Sequence, residues 1–481
     1  MNAQPVNLLA ALADRLGHKG FTSDAATLAP WLKDWRGRYQ GRAAALVSPA
    51  STQEVADIVR LCAEARVPIV PQGGNSSMAG GATPTAEGNA ILLSLRRMNR
   101  IRSLAPEANL AVCEAGVILS NLHDAAAAQG RRFPLSLGAK GSATVGGLVS
   151  TNAGGTQVLR HGTMRQLVAG LEAVLPDGSI FDGLAPLRKD NRGYDLKQLL
   201  IGAEGTLGIV TAATLRLAPA VGSRAVAWIG LESPDQALAL LRRLEAATGE
   251  AIESFELVPK SALDLVLRHV PGTRPPLSES HAWNVLVEAV SPVVAPSPEE
   301  ELSDALNAAL EAAVADDAVI ASNEAQAEAF WRLRDSISEA EQKDGPAVKH
   351  DPSVEVAAMP RFMVEAADAV ERRFAGCRVI AFGHLGDGNV HFNVRAPEGA
   401  DPAWPDREGA AVTAFVHDLV VAAGGSISAE HGIGQMRLTE LARLEDPARL
   451  AAMRAIKNAL DPHGIMNPGK LVPLAEQPLA P

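Results

Sequence analysis

Apolar positions in this chain follow two textures. Before residues 218–222, short aliphatic runs alternate with tracts dense in glycine. Residues 43–47 and 68–71 read as strands. Between them Ser51 with Glu54 opens a helix whose Val55, Ile58, Val59 and Cys62 keep helical spacing. Strands follow at 90–95 and 110–115, a helix at 119–129, and strands at 168–175 and 179–182 around the turn Pro176-Asp177-Gly178, with a last strand ending near Leu217. Beyond that point strands alternate with long alanine-rich helices: strands 225–231, 252–258 and 282–290, and helices 234–248, 260–268, 298–314, 324–343, 360–374, 406–423 and 446–460. The pattern predicts an α+β protein of two domains: 1–221, glycine-looped and not of Rossmann type, and 222–464, built on an antiparallel sheet. The tail, 465–481, returns to the first domain.

The most informative short stretch is Gly383-His384-Leu385-Gly386-Asp387-Gly388-Asn389-Val390-His391-Phe392-Asn393. Residues 378–382 and 390–394 have strand composition, and Gly-Asp-Gly-Asn between them is turn chemistry. A turn at 386–389 sets His384 directly opposite His391, with Cβ atoms roughly 5 Å apart on one face. Asn393, two residues on, shares that face. Two imidazoles so placed suit one divalent metal, and Glu430, in Ser428-Ala429-Glu430-His431-Gly432-Ile433-Gly434, is the candidate third ligand. Two histidines and a carboxylate leave coordination positions open, as catalytic zinc requires. His431, beside a ligand, is then the candidate general base.

Length and charge narrow the choices. At 481 residues the chain exceeds one core. With 44 basic against 55 acidic residues it carries a net charge of -11, which argues against a nucleic-acid partner or an anionic membrane surface. Cys62, Cys113 and Cys377 are widely spaced in apolar surroundings and read as buried thiols, for which the cytoplasm is the default compartment. Asp14 and Arg15 interrupt the apolar residues near the start, so no signal peptide is expected, and no apolar run reaches the roughly 18 residues of a membrane span.

Glycine is concentrated at 73–81, 138–155 and 202–208. Without a Cβ the backbone approaches a ligand closely and aims its N–H groups at phosphate oxygens, so a diphosphate is the natural occupant. No G-x-G-x-x-G follows a strand and opens a helix, which argues against a nicotinamide cofactor. Pro71-Gln72-Gly73-Gly74-Asn75, 134–141, Thr151-Asn152-Ala153-Gly154-Gly155, 187–196 and 202–209 resemble the vanillyl-alcohol-oxidase-type flavoproteins, in the branch related to FAD-linked D-lactate dehydrogenases. The histidine pair, 428–434 and Asn467-Pro468-Gly469-Lys470 extend the likeness over most of the chain.

The resemblance implies that FAD is held by Pro71, Gly73, Gly74, Asn75, Ser76, Ser77, Gly80, Gly81, Pro134, Leu137, Gly138, Gly141, Ser142, Gly146, Gly147, Thr151, Asn152, Gly154, Glu204, Gly205, Gly208, Ile209 and Asn467, with 204–209 near the adenine side. Asn75 stands where some relatives place a flavin-tethering histidine, so the FAD is expected to be non-covalent. The implied reaction is oxidation of a small D-2-hydroxy acid, foremost D-2-hydroxyglutarate, to the 2-oxo acid by hydride transfer to flavin N5. D-lactate, D-malate or glycolate is the alternative substrate. Arg334, Ser338 and Lys349 would contact carboxylates, and Asn393 and His431 would lie near the reacting carbon. Arg334 and Ser338 fall four apart on one helix face. An electron acceptor, a flavoprotein or a quinone, is required, and a homodimer through the second domain is expected. A zinc hydrolase whose glycine loops merely turn, and a non-catalytic flavin subunit, are the rival classes.

Overall fold

A computed structural model describes residues 8–294 and 297–473. They form two compact units. The first holds the described residues up to Gly155, then Gly162–Ala220 and those from Glu430 on; the second holds Thr156–His161 and Val221–Ala429. Helices and antiparallel sheets are mixed, so the α+β class stands.

In the first unit, strands Ala45–Val47 and Ile69–Gln72 flank Ile91–Ser94 in parallel, joined by the crossover helix Thr52–Ala65. These strands are buried nearly throughout, which explains their continuous apolar composition. Ser51 caps the helix by accepting the Glu54 amide at 3.2 Å, while the Glu54 carboxylate reaches back to the Ala50 amide at 2.7 Å. A second sheet is antiparallel, in the order Ile101–Ala105, Leu110–Glu114, Ile209–Arg216, Val168–Val174, Ile180–Gly183. Its first strand has no clear hydrophobic alternation and escapes the sequence pattern; Arg100 and Arg102 instead anchor on the buried Glu114. The returning chain joins the first sheet at Ile69, whose amide donates to Ile465 O and whose carbonyl accepts from Asn467 N, both at 2.8 Å. The part of the expected returning tail beyond residue 473 lies outside the described residues.

The second unit is built on seven antiparallel strands, in the order Asp317–Ile320, Ser223–Leu231, Trp283–Ser291, Ile252–Pro259, Arg378–His384, Asn389–Arg395, Ala347–His350. Trp228, Val258, Leu286 and Phe382 from the sheet pack with Phe330, Leu333 and Ile337 from the covering helices.

Two local expectations change. The helix expected at 324–343 is two helices, Glu324–Asp335 and Ile337–Lys343, parted at Ser336, so that Ile337 and Ala340 turn onto helix Lys260–His269. The hairpin register differs too: His384 pairs with Asn389 and Phe382 with His391, so the loop is 385–388. Gly388 takes the left-handed conformation (φ 80°), and its amide and that of Asp387 donate to His384 O. The slip is two residues, the period of a strand, and therefore leaves both histidines on the same face as diagonal neighbours.

Candidate active site

The first unit contains a cavity of about 700 Å³, within the size range of cofactor pockets. Its walls come from all three glycine tracts, including Gly73, Gly74, Gly138, Gly147 and Gly205, together with Asn75, Ser76, Ser77, Ser142, Thr144 and Thr151. Glu430 and His431 also line it. Several glycines are obligatory. A Cβ on Gly73 would strike Thr144 Oγ1, one on Gly74 the Ser142 carbonyl, and one on Gly205 the Pro71 ring. Gly205 also has φ 71°.

Thr144 Oγ1 is buried at this cavity without a hydrogen-bond partner among the described residues, a hydroxyl awaiting a ligand. No lysine or arginine is among the lining residues, so backbone N–H groups and hydroxyls would hold a diphosphate here. The cavity therefore fits FAD. Gly74→Ala is expected to weaken FAD retention about 10- to 100-fold, since overpacking typically costs about 1–3 kcal/mol; dialysis followed by visible absorbance checks this. Unchanged retention would show that the Gly73–Gly74 tract does not seat the cofactor.

Gly80, Pro134, Gly141, Asn152 and Asn467 do not line the cavity. Asn152 is engaged elsewhere: it ends helix Val145–Thr151 at φ 49°, and its Oδ1 accepts from Thr163 Oγ1 and the Arg165 amide, both at 2.9 Å. Asn467 donates to Gly81 O and Glu204 O. Asn75, at φ 52°, turns its amide to Lys33 O at 2.8 Å. Glu204 lines the cavity, and its carboxylate accepts the amides of Ile433 at 2.7 Å and Gly434 at 2.8 Å.

In the second unit the two imidazoles lie edge to face with ring centroids 5.3 Å apart. Glu256, on the neighbouring strand and paired in register with His384, is 1% exposed and organises this corner. Its Oε1 is 2.7 Å from His384 Nδ1, and its Oε2 accepts Arg334 Nε at 2.7 Å. Burial alone would raise the Glu256 carboxyl; Arg334 and His384 outweigh it and hold it down at about 2. An ionised carboxylate only accepts, so Nδ1 of His384 carries the hydrogen and Nε2 presents a lone pair. Arg334 Nη2 lies 3.4 Å from that Nε2, and its guanidinium stacks over Phe382. A carboxylate that orients a histidine through its far nitrogen is the usual support of a metal-binding imidazole. His384 and His391 thus fit a divalent metal. Asp351 Oδ1 stands 3.9 Å from His391 Nδ1. Glu430 belongs to the first unit.

A second buried carboxylate, Glu341, gathers the other expected substrate residues. It accepts Asn393 Nδ2 at 2.8 and 3.0 Å and Lys349 Nζ at 3.2 Å. Burial raises the Glu341 carboxyl against the pull of Lys349 and Asn393. Lys349 is half-buried, whereas Ser338 is exposed, beyond the break at Ser336. Sequence reading passed over Glu256, Glu341 and Thr144. The first two sit in segments that read as ordinary strand and helix, and only the three-dimensional pairing marks them.

The chain matches two family profiles, one described as an FAD binding domain over residues 43–183 and one as the C-terminal domain of FAD linked oxidases over 222–471. The chain belongs to the FAD-linked oxidase family and is an FAD-dependent oxidoreductase. D-2-hydroxyglutarate dehydrogenase, mitochondrial, of Arabidopsis thaliana is 38% identical over 458 residues, covering 95% of this chain and 80% of that protein. The protein of the same name from Bos taurus is 38% identical over 453 residues, covering 94% and 81%. Among solved structures, p-cresol methylhydroxylase with substrate bound shares the fold, with a TM-score of 0.74 at 17% identity over 96% of each chain.

The hydrolase and non-catalytic alternatives fall with the family assignment. The cytoplasmic expectation also falls, because both relatives are named as mitochondrial. The three cysteines are buried and free, and buried thiols do not distinguish one compartment from another. No helix of the described residues is long and apolar enough to cross a membrane.

Proposed function

We propose that this oxidoreductase converts a D-2-hydroxy acid, foremost D-2-hydroxyglutarate, to the 2-oxo acid with the help of a divalent metal, zinc by ligand type. The observation that carries the reading is Glu256 gripping Arg334 and His384 at once, which sets a carboxylate-binding cation beside a metal-competent imidazole. The names of the similar dehydrogenases support the same substrate. Bound FAD would supply the hydride acceptor at N5, and a bound metal would polarise the substrate hydroxyl.

The protein's own groups do the rest. His384 and His391, with Glu430, would hold the metal. His431 would take the hydroxyl proton while the C2 hydride leaves, and Asn393 would orient the acid. Arg334 would meet a carboxylate through Nη1, because Glu256 takes Nε and Nη2 lies toward His384 Nε2. Lys349 supplies a second cation. Ser338, being exposed, contributes least. The electrons then pass to a flavoprotein or quinone acceptor. A homodimer through the second unit belongs to the same proposal.

The test is an anaerobic titration with D-2-hydroxyglutarate, D-malate, D-lactate and glycolate, following the flavin bands with and without a chelator. Bleaching by the dicarboxylates that the chelator suppresses is expected; a flavin untouched by every acid defeats the proposal. Preferential bleaching by D-lactate or glycolate would favour the same machinery on a monocarboxylate. Lys349→Ala is expected to raise KM for dicarboxylates about 10- to 100-fold more than for D-lactate, matching the loss of one charged hydrogen bond. Because Lys349→Ala also strips buried Glu341 of its cation, as Arg334→Ala strips Glu256, the comparison between the two acids and not the absolute loss is the readout. An equal loss on both acids rejects the second-carboxylate role.

A further inference from the structure

We infer that Glu204 is a positioning residue, which sets the loop carrying Glu430 and His431 against the cavity by accepting the amides of Ile433 and Gly434. The inference rests on the reading of His431 as the proton acceptor and adds the device that places it. Glu204 lies in the third glycine tract, far from that loop in sequence, yet each of its carboxylate oxygens is used by one of two successive loop amides. Two charge-assisted bonds on adjacent amides fix the direction of the loop as well as its distance.

The loop fits closely against this side chain. Gly432 (φ 74°) and Gly434 (φ 53°) both take left-handed backbone, and a Cβ on Gly432 would lie 2.6 Å from Glu204 Oε1. Gly434 also packs on the Ala79 carbonyl, which accepts the amides of Gln435 and Met436 at 3.1 and 3.2 Å. Glu204 itself is held at φ 50°, a conformation that an ordinary residue adopts only under constraint. Its backbone carbonyl accepts Asn467 Nδ2 at 2.7 Å, so the loop, two glycine tracts and the returning chain meet at one residue. The carboxylate is buried, and burial raises it above the usual carboxylate range against the pull of the two amides and of Arg437 and Lys470. Glu204, Glu430 and His431 all line the same cavity. A flavin seated on the glycine tracts and the residue that takes the proton would therefore be indexed to one another through this carboxylate.

The experiment compares Glu204→Gln, Glu204→Asp and Gly432→Ala in the full-length holoprotein. Glutamine keeps the shape but turns an NH2 toward one of the two amides; alanine at 432 pushes the loop away with the carboxylate intact. Glu204→Gln and Gly432→Ala are each expected to lower the rate of flavin reduction at saturating 2-hydroxy acid by about 100-fold, the cost of a displacement of about 1 Å at a reacting group. FAD content is expected to hold, with KM changed little, and aspartate should recover part of the rate. Hydrogen exchange at 430–436 should quicken in Glu204→Gln with other segments unchanged, a readout that needs no substrate and so separates this inference from the assignment of the reaction. Wild-type reduction rates in both Glu204→Gln and Gly432→Ala would overturn it. So would loss of FAD in step with loss of rate, or unaltered exchange at 430–436. If Glu204→Gln fails to fold, Gly432→Ala decides alone.

Discussion

Glu256→Ala is expected to destabilise the second unit by about 3–5 kcal/mol, the usual cost of leaving a buried charge without its partner, and to weaken divalent-metal binding about 10- to 100-fold. Both effects follow from one carboxylate at 1% exposure holding Arg334 by Nε and His384 by Nδ1. Without it the guanidinium stays buried over Phe382 and loses its hydrogen-bonded counter-charge, and the imidazole loses the acceptor that fixes its tautomer. Thermal unfolding of the full-length protein should shift down by roughly 10 °C, and metal content after chelator competition should fall. The pH sign follows from the same pair. The Glu256 carboxyl is held down at about 2, so its contribution is complete above the ordinary carboxylate range and is lost as pH falls toward 2. A Glu256→Ala protein that melts as the parent does and binds zinc equally well would show that the carboxylate supports neither neighbour.

His431→Asn is expected to slow flavin reduction about 10²- to 10⁴-fold, the span that a positioned general base commonly contributes, while FAD content and melting temperature stay near those of the parent. His431 lines the cavity and is partly exposed there, so its removal opens no hole in a core. Stopped-flow mixing with D-2-hydroxyglutarate reads the rate directly. Less than a tenfold change would reassign proton removal to another group. Asp351, whose Oδ1 stands 3.9 Å from His391 Nδ1, would be the next to examine.

The hairpin shows how much can be read along the chain and where that stops. Strand composition and turn chemistry were enough to place two histidines on one face, and the two-residue register slip did not disturb this because side chains repeat every two residues. A slip of one would have parted them. The break at Ser336 was illegible, since Trp331 to Ser338 keeps helical composition throughout; the need of Ile337 and Ala340 to reach helix Lys260–His269 decides it. Glu204 lines the cavity that its glycine-rich neighbours suggest, but its service to amides more than 200 residues away could not be read along the chain.

By itself the sequence determined the local matters: the α+β alternation, the glycine tracts that leave room for a cofactor, and the residue types able to bind metal, carboxylate and proton. Those depend on side-chain period, turn chemistry and the missing Cβ, all of which act within a few residues. The tertiary structure alone decided which buried carboxylate serves which partner. Glu256 chose Arg334 and His384, Glu341 chose Lys349 and Asn393, and Glu204 chose the amides beside His431. A buried charge must find its counterpart wherever the fold brings one near, and that distance through space leaves no trace in the order of the residues.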